Sequence, residues 1–400
     1  MMKSYLLPTT SLIFLLFWPI QAQEIATSDT PGAAVLPRVP ERLNTISETN
    51  YLNALALRGF KLQSQGLLIE SLDARTVYAD LNSDTGFNPA SVIKVATSFA
   101  ALSKLGPEHR FETSFHTDGA VNLKTKTLTG NLVLRATGDP ILTANDVTRL
   151  VREVARGGIA KVTGKLVVAG PFTFGNSLTT DRAIKGLSTT LRRVGIRVSG
   201  TARDPAVRGS KVASHVSSTL RDILFYQNAH SVNTVAERLG EALGGPKAIE
   251  EFLVKAIGLS PADIYISRTS GLDFNRITPR GAVQLLRELV YWLNLQNLQP
   301  RDILPVAGVD VGTLRRRFTS EEYRGAIIGK TGTLNVTDGG VSTLAGIVYT
   351  RDRGPVLFAI FNTRGSVNTY RKLQDDFMKA FIGESGGIPE VNASLHRIGN

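Results

Sequence analysis

The apolar positions of the chain fall into recognisable periods. Leu67-Leu68-Ile69-Glu70-Ser71-Leu72 reads as one strand and, across Asp73-Ala74-Arg75, Thr76-Val77-Tyr78-Ala79-Asp80 reads as a second. Asn88-Pro89 then opens a helix to about Leu105, because Asn accepts the free N–H groups of a first turn and Pro suits the first helical position. Val92, Ile93, Val95, Ala96, Phe99, Ala100 and Leu102 give that helix a broad apolar face. Between 118 and 175 the character changes: short strands at 127–128, 132–134 and 166–168 flank a helix over 144–157. From about 187 helices dominate, at 187–194, 219–228, 231–243, 247–257 and 278–293. Strand-like runs return at 326–328, 344–349 and 356–361, and an amphipathic helix closes 367–382. Strands at both chain ends with helices between predict an α/β (α+β) fold, one mixed sheet built from both ends and covered by a helical block.

The same breaks suggest a division of the chain. Residues 1–22 have the three parts of a secretory signal: Lys3, an apolar Leu12–Trp18 and a small-residue cleavage site ending at Ala22. The apolar run is too short for a comfortable span, which needs about 20 residues, so a soluble secreted or periplasmic protein with no stable membrane span is expected. Residues 23–45, rich in Pro, Thr, Ala and Ser, form a flexible lead-in. A main domain is expected over 46–117 and 176–384, interrupted by an inserted subdomain at 118–175 and followed by a tail at 385–400.

Composition narrows the chemistry. A 400-residue chain that is 42% hydrophobic and 20% charged has the size of about two domains and is not a disordered chain. With no cysteine there is no disulfide framework, no thiolate zinc site and no cysteine nucleophile. Five scattered histidines and no H-E-x-x-H leave little for a metal. Lys and Arg outnumber Asp and Glu by 46 to 34, a surplus of 12, or 11 once Lys3 is removed with the signal. Such a surplus suits a polyanion: nucleic acid, anionic lipid or an acidic wall polymer. Nothing resembles a nucleic-acid-reading motif, so no nucleic-acid partner is expected.

Three short patterns carry candidate chemistry. In Ser91-Val92-Ile93-Lys94 the hydroxyl and the amine share a helix face. A serine hydroxyl needs a base beside it to become a nucleophile, and lysine serves once desolvation lowers its pKa. Ser231-Val232-Asn233 offers a hydroxyl to relay a proton and an amide to hold a carbonyl. The pattern is weak, since Ser366-Val367-Asn368 repeats it and either serine could simply cap a helix. Lys330-Thr331-Gly332-Thr333 follows the apolar Ala326-Ile327-Ile328. On an edge strand Gly332 would let a substrate backbone approach, and Lys330 with the two threonine hydroxyls could bind a carboxylate. No phosphate-binding loop is present, because G-x-x-x-x-G-K-[ST] is not matched.

S-x-x-K, S-x-N and K-T-G, in that chain order, resemble the motif set of penicillin-binding proteins and class A β-lactamases. Order selects Ser231, since Ser366 falls after the K-T-G. From about residue 48 to residue 383 the chain is similar to the class C low-molecular-mass penicillin-binding proteins, the D-alanyl-D-alanine carboxypeptidase/endopeptidase class of peptidase family S13. Asn88-Pro89-Ala90, Thr137-Gly138-Asp139-Pro140-Ile141-Leu142, Ser270-Gly271-Leu272, Gly312-Thr313-Leu314-Arg315 and Leu344-Ala345-Gly346 add to the likeness. No Glu-x-x-x-Asn element of the class A β-lactamase kind is found.

The resemblance implies the serine β-lactamase/DD-peptidase fold and a mechanism on peptidoglycan stem peptides. Ser91 would attack the carbonyl between two D-alanines while Lys94 takes its proton. The backbone N–H groups of Ser91 and Thr333 would hold the oxyanion. Ser231, with Lys330, would pass a proton to the leaving D-alanine. Asn233 would hold the substrate amide, and Thr331, Gly332 and Thr333 would bind the carboxylate end. β-Lactams would acylate Ser91, and neither metal nor cofactor is required. There are departures: only 137 positions separate Lys94 from Ser231, Ala169-Gly170-Pro171 stands where the family often has an Asp, and Val232 stands where Asp is common. These bear on substrate choice and on the balance of carboxypeptidase and endopeptidase activity. Two other readings share the motifs: a penicillin-binding relative with esterase, amidase or weak β-lactamase activity, and a non-catalytic wall-binding sensor.

Overall fold

The computed structural model describes residues 39–206 and 208–389. The expected signal at 1–22, most of the lead-in and most of the tail lie outside them. No helix among the described residues is long and apolar enough to cross a membrane.

A six-stranded sheet lies at the centre, in the order Glu41–Arg42, Thr76–Leu81, Gln65–Ser71, Gly354–Thr363, Val341–Thr350, Ile327–Leu334. Every pairing is antiparallel except that of the two-residue edge strand 41–42 with 76–77. Strands 65–71, 354–363 and 341–350 are buried at nearly every position because both faces are covered, and successive side chains serve opposite cores. Leu67, Ile69, Val356, Phe358 and Ile360 pack toward helices Ile46–Leu57 and Val367–Glu384. Leu68, Leu357, Ala359 and Phe361 pack on the other side, with helices Lys94–Leu105, Leu220–His230, Asn233–Leu243, Gly245–Ile257 and Pro279–Leu295.

The mixed sheet from both chain ends agrees with the periodicity, but helix 46–57 does not announce itself there. Its buried face mixes Tyr51 and Leu55 with Ser47 and Glu48, and Glu48 is paired with Arg42 at 2.6 Å. Of the expected lead-in, Glu41–Arg42 is a strand and Thr45 caps that helix by accepting from the Glu48 N–H.

A second sheet is inserted between the serine helix and helix 220–230. Its order is Thr201–Arg203, Leu166–Ala169, Leu132–Ala136, Glu112–Thr117, Ser210–Val216. Helices Ala144–Arg156 and Thr180–Val194 cover one face through Val147, Leu150, Val151, Val154, Ile184, Leu187 and Leu191. A small three-stranded sheet, Ala120–Asn122, Thr127–Thr129 and Lys161–Val162, adjoins it. The expected block at 118–175 is the middle of this body, whose sheet begins at Glu112 and ends at Val216. Its first and last strands are sparse in apolar residues: Thr113, Ser114 and His116 are buried in one, and Ala213 is the buried apolar residue of the other. Arg238, from helix 233–243, ties the insertion to the main body by donating to the carbonyls of Pro140, Gly175 and Ser177 at 2.8–2.9 Å.

Candidate active site

The helix expected from Ala90 begins as a tight 3₁₀ turn, Ala90–Ile93, and becomes α-helical at Lys94. In a 3₁₀ turn residues three apart eclipse. Ser91 and Lys94 therefore meet, with Lys94 Nζ 2.9 Å from Ser91 Oγ. The turn is held from outside. Asn88 Nδ2 donates to the Asp273 carbonyl at 2.8 Å, Asn88 Oδ1 accepts from the Ala90 N–H at 3.0 Å, and Thr343 Oγ1 donates to the Pro89 carbonyl at 2.8 Å. Ala90 sits at a left-handed φ of 46°, a strained geometry that surrounding contacts must enforce.

Lys94 is fully buried and also reaches Asn233 Oδ1 at 2.7 Å and the Ser270 carbonyl. Burial pushes its ammonium from the usual 10.5 down to about 7, against the opposing pull of Glu237. Nζ donates to all three partners, Ser91 Oγ, Asn233 Oδ1 and the Ser270 carbonyl, and the Ser91 hydroxyl in turn lies 3.5 Å from that carbonyl. Once Lys94 loses a proton, its two remaining N–H groups can keep the obligate acceptors Asn233 Oδ1 and Ser270 O, which frees the lone pair for the Ser91 hydroxyl.

The Ser270 carbonyl is aimed by its loop. Thr97 Oγ1 donates to the Thr269 carbonyl at 2.8 Å and Thr269 Oγ1 donates to the Ala236 carbonyl at 3.0 Å. Gly271 has φ 89°, and a Cβ there would stand 2.0 Å from the Ala90 carbonyl oxygen. The sequence marks Ser270-Gly271-Leu272 as part of a resemblance, but no side-chain pattern announces a backbone acceptor for lysine.

Ser231 does not cap the start of a helix. It ends helix 220–230 in left-handed backbone, φ 56° and ψ 43°, and the next helix starts only at Asn233, with Val232 in the cap position making no side-chain cap bond. The single helix expected over 231–243 is thus broken from its first two residues by this kink. Lys330 Nζ donates to Ser231 Oγ and to the Thr331 carbonyl, both at 2.8 Å. Lys330 is completely buried, and burial together with the nearby Lys94 charge pushes its ammonium well below the usual range.

Lys330-Thr331-Gly332-Thr333 lies on strand 327–334, the outer edge of the main sheet. Gly329 donates outward to the Pro305 carbonyl at 3.2 Å and Val306 bridges Ile328, which covers the first half of the edge. By strand alternation the Thr331 and Thr333 N–H groups point outward too. The reason for Gly332 differs from the expected one. A Cβ there would lie 2.2 Å from Thr343 Oγ1 and 2.6 Å from the Pro89 carbonyl, so the glycine lets the strand press against the serine turn.

A cleft of about 550 Å³ joins these parts, lined by Ser91, Ser231, Asn233, Thr331 and Thr333. Thr313, Arg317 and Arg371 also line it, and the sequence assigns none of them a role at the site. Thr331 Oγ1 donates to Thr313 Oγ1, and Arg371 Nη2 donates to Thr333 Oγ1, each at 2.8 Å. Arg317 is neutralised by Asp375, with its Nε 2.7 Å from Asp375 Oδ1. Arg371 forms no ion pair with a described residue and is exposed on the cleft side. Thr313 falls within a resemblance element, whereas Arg371 is one basic residue on the polar side of an amphipathic helix and carries no signal. A separate cleft of about 470 Å³ on the insertion is lined by Glu112, Ser114, His116, Arg135 and Lys211 among others; there Ser114 Oγ is 2.9 Å from His116 Nε2, and Lys211 pairs with Glu112 at 2.5 Å. Among the described residues no group of three or more His, Asp or Glu could hold a metal ion.

Comparison with known proteins follows this geometry. The family model of the D-Ala-D-Ala carboxypeptidase 3 (S13) family matches residues 52–181 and 169–381. The D-alanyl-D-alanine carboxypeptidase DacB of Haemophilus influenzae is 35% identical over 103 residues, 26% of this chain and 21% of that protein, so the matched stretch spans about a fifth of the curated relative. The fold is similar to penicillin binding protein 4 (dacB) of Haemophilus influenzae complexed with a β-lactam, at TM-score 0.69 and 22% identity over 84% of this chain and 99% of that one. It is also similar to the penicillin G-acylated predatory endopeptidase Bd3459 of Bdellovibrio bacteriovorus, solved with an immunity protein, at TM-score 0.64 and 21% identity over 82% and 94% of the two chains.

Proposed function

The chain belongs to the D-Ala-D-Ala carboxypeptidase 3 (S13) family, and from that premise we propose that it is a serine DD-peptidase acting on peptidoglycan stem peptides outside the cytoplasm. The reading is carried by one observation: a fully buried Lys94 whose Nζ lies 2.9 Å from Ser91 Oγ and whose two other contacts, Asn233 Oδ1 and the Ser270 carbonyl, are both acceptors. Ser91 Oγ attacks the carbonyl between two D-alanines and Lys94 takes the hydroxyl proton. The N–H groups of Ser91 and Thr333 stabilise the oxyanion. Ser231, held by Lys330, returns a proton to the leaving amine, and Asn233 orients both Lys94 and the substrate amide. The substrate strand adds to the open end of edge 327–334. Thr331 and Thr333 meet the terminal carboxylate, with Arg371 supplying the uncompensated cation beside them. Water then hydrolyses the acyl-enzyme, and a β-lactam forms the same ester and leaves slowly.

The test is intact-mass detection of a penicillin adduct on residues 23–400 and on Ser91→Ala. The expected result is one adduct on the wild type, none on the variant, and D-alanine release from an acyl-D-Ala-D-Ala peptide. A wild type that is never acylated sinks the proposal; acylation without D-alanine release points to a sensor.

A further inference from the structure

The positive charge of the chain is unevenly spread. Residues 112–216 hold 16 Lys and Arg against 7 Asp and Glu, a surplus of 9 out of the chain's 12, whereas the remaining 295 residues hold 30 against 27. Within the insertion the surplus gathers at one end. Strands 112–117 and 210–216 connect to the main body at Glu112 and Val216, so the register Ser210↔Thr117↔Leu132↔Leu166 marks the opposite, far end. Both helices of the insertion finish there. They lead into Lys161 and Arg197, which bridge each other. The Lys126 carbonyl accepts from the Ala160 and Lys161 N–H groups at 2.8 and 3.0 Å, and the Val162 N–H donates to the Arg197 carbonyl at 2.9 Å. Lys124 stands on the neighbouring turn, and Arg156 and Arg192 occupy the last helical turns.

All six of these cations are exposed. The ion pairs of the insertion, Asp146–Arg149, Asp181–Arg203, Glu112–Lys211 and Asp139–His215, use none of them. The acids at this end are Glu153 and Asp118, and Asp118 is engaged by the Asn131 N–H and Nδ2. A cation in a last turn complements the helix dipole, which accounts for Arg156 and Arg192. It does not account for Lys126, Lys161 and Arg197, like charges on adjoining backbone that oppose folding.

We propose that this far end is a docking surface for an anionic, carboxylate-bearing polymer, namely the meshwork whose stem peptides the cleft cuts; in that respect the inference rests on the function proposed above. The chemistry of the surface separates polymer from the other polyanions. The insertion has no Tyr or Trp, and Phe115, Phe172 and Phe174 are buried, so no aromatic platform for nucleic-acid bases exists. Among the described residues Leu123 and Val212 are the exposed large apolar side chains near this end, too little for a membrane-seated surface. Helix 180–194, at 1.5 Å per residue, is about 22 Å long, so the surface grips polymer well away from the scissile bond and holds peptides near the cleft at raised local concentration.

The test uses the full mature chain in a Ser91→Ala background, which silences the cleft, with purified peptidoglycan sacculi as the probe. The wild-type surface should co-sediment with sacculi at about 0.05 M salt and be released by about 0.5 M. Lys126→Gln/Lys161→Gln/Arg197→Gln should bind about tenfold more weakly. With Ser91 restored, the triple variant should turn over a soluble acyl-D-Ala-D-Ala peptide within about twofold of wild type, which also certifies its fold, yet release D-alanine from sacculi several-fold more slowly. Unchanged or salt-insensitive sacculus binding by the triple variant overturns the proposal, as does capture by phosphatidylglycerol vesicles in place of sacculi. Salt-dependent sacculus binding that the triple variant loses, in a chain inert toward soluble peptide, upholds the surface and overturns the peptidase reading instead.

Discussion

The tripeptide Ser-Val-Asn occurs twice, each time before a helix, and the two copies do different work. Ser366 has extended backbone, φ −71° and ψ 118°, and its hydroxyl accepts from the Thr369 N–H at 3.4 Å, so it caps helix 367–384. Ser231 has left-handed backbone, closes the preceding helix and turns its hydroxyl to Lys330. Asn368 is exposed, whereas Asn233 gives its carbonyl oxygen to Lys94. The difference comes from what precedes each copy. A helix runs directly into Ser231 and must stop within one residue, whereas Ser366 follows a strand and Gly365. A side chain at a forced helix break cannot satisfy the next helix's N–H groups in the usual way and is free to serve a site; strain of this kind is maintained only where surrounding structure compels it.

Substitutions at four positions sharpen that contrast. The largest effect is expected for Lys94→Met, which removes the group that reads Asn233: acylation by penicillin should fall by about 10³–10⁴. The melting temperature should hold or rise, since a buried amine is lost. The wild-type pH profile belongs to the same test. Because burial lowers the Lys94 pKa to about 7, the neutral amine prevails above that pH. The acylation rate should therefore fall about tenfold per pH unit below it and level off above. An acid limb near the ordinary lysine value would contradict the lone-pair assignment. Next, Ser231→Ala should lower kcat by about 10²–10³ with little change in stability, and equal activity would return Ser231 to a structural role. Arg371→Ala should raise KM about tenfold for a peptide ending in carboxylate and leave its carboxamide counterpart unmoved; Arg371→Lys should recover part of the loss. The smallest effect is expected for Ser366→Ala: about 1 kcal/mol of stability, read by denaturant titration, and unchanged turnover.

Legibility followed the physics of each segment. Doubly buried strands carry unbroken apolar runs, Leu67–Ile69 within 65–71 and Val356–Phe361 within 354–363, and the helix over 279–295 repeats Val283, Leu286, Leu289 and Leu293 on one face. These were readable. Helix 46–57 was not, because caps and an ion pair, rather than apolar side chains, bury much of its inner face. Strands 112–117 and 210–216 were missed for the same reason. At the site, Ser91, Lys94, Ser231, Asn233 and Lys330 were readable as motifs and do converge on one cleft. The Ser270 carbonyl is a backbone group and has no residue signature. Arg371 acquires meaning only because helix 367–384 ends up beside Thr333, more than thirty residues earlier in the chain. The uneven charge, by contrast, was present in the sequence as a sum and became informative only when the span of the second sheet, Glu112 to Val216, divided it.

The central sheet also sets a timetable. Ile69 pairs with Phe358, 289 positions later, and the strand that carries Lys330 joins the sheet only through Val341–Thr350. At synthesis rates of about 5–20 residues per second, roughly 15–60 s separate the appearance of the first strand from that of its partner. The insertion, whose pairings close within about a hundred residues, is complete long before. The cleft therefore cannot assemble on a nascent chain: Ser91 and Lys94 wait, unpartnered, until the last strands and the closing helix have been made.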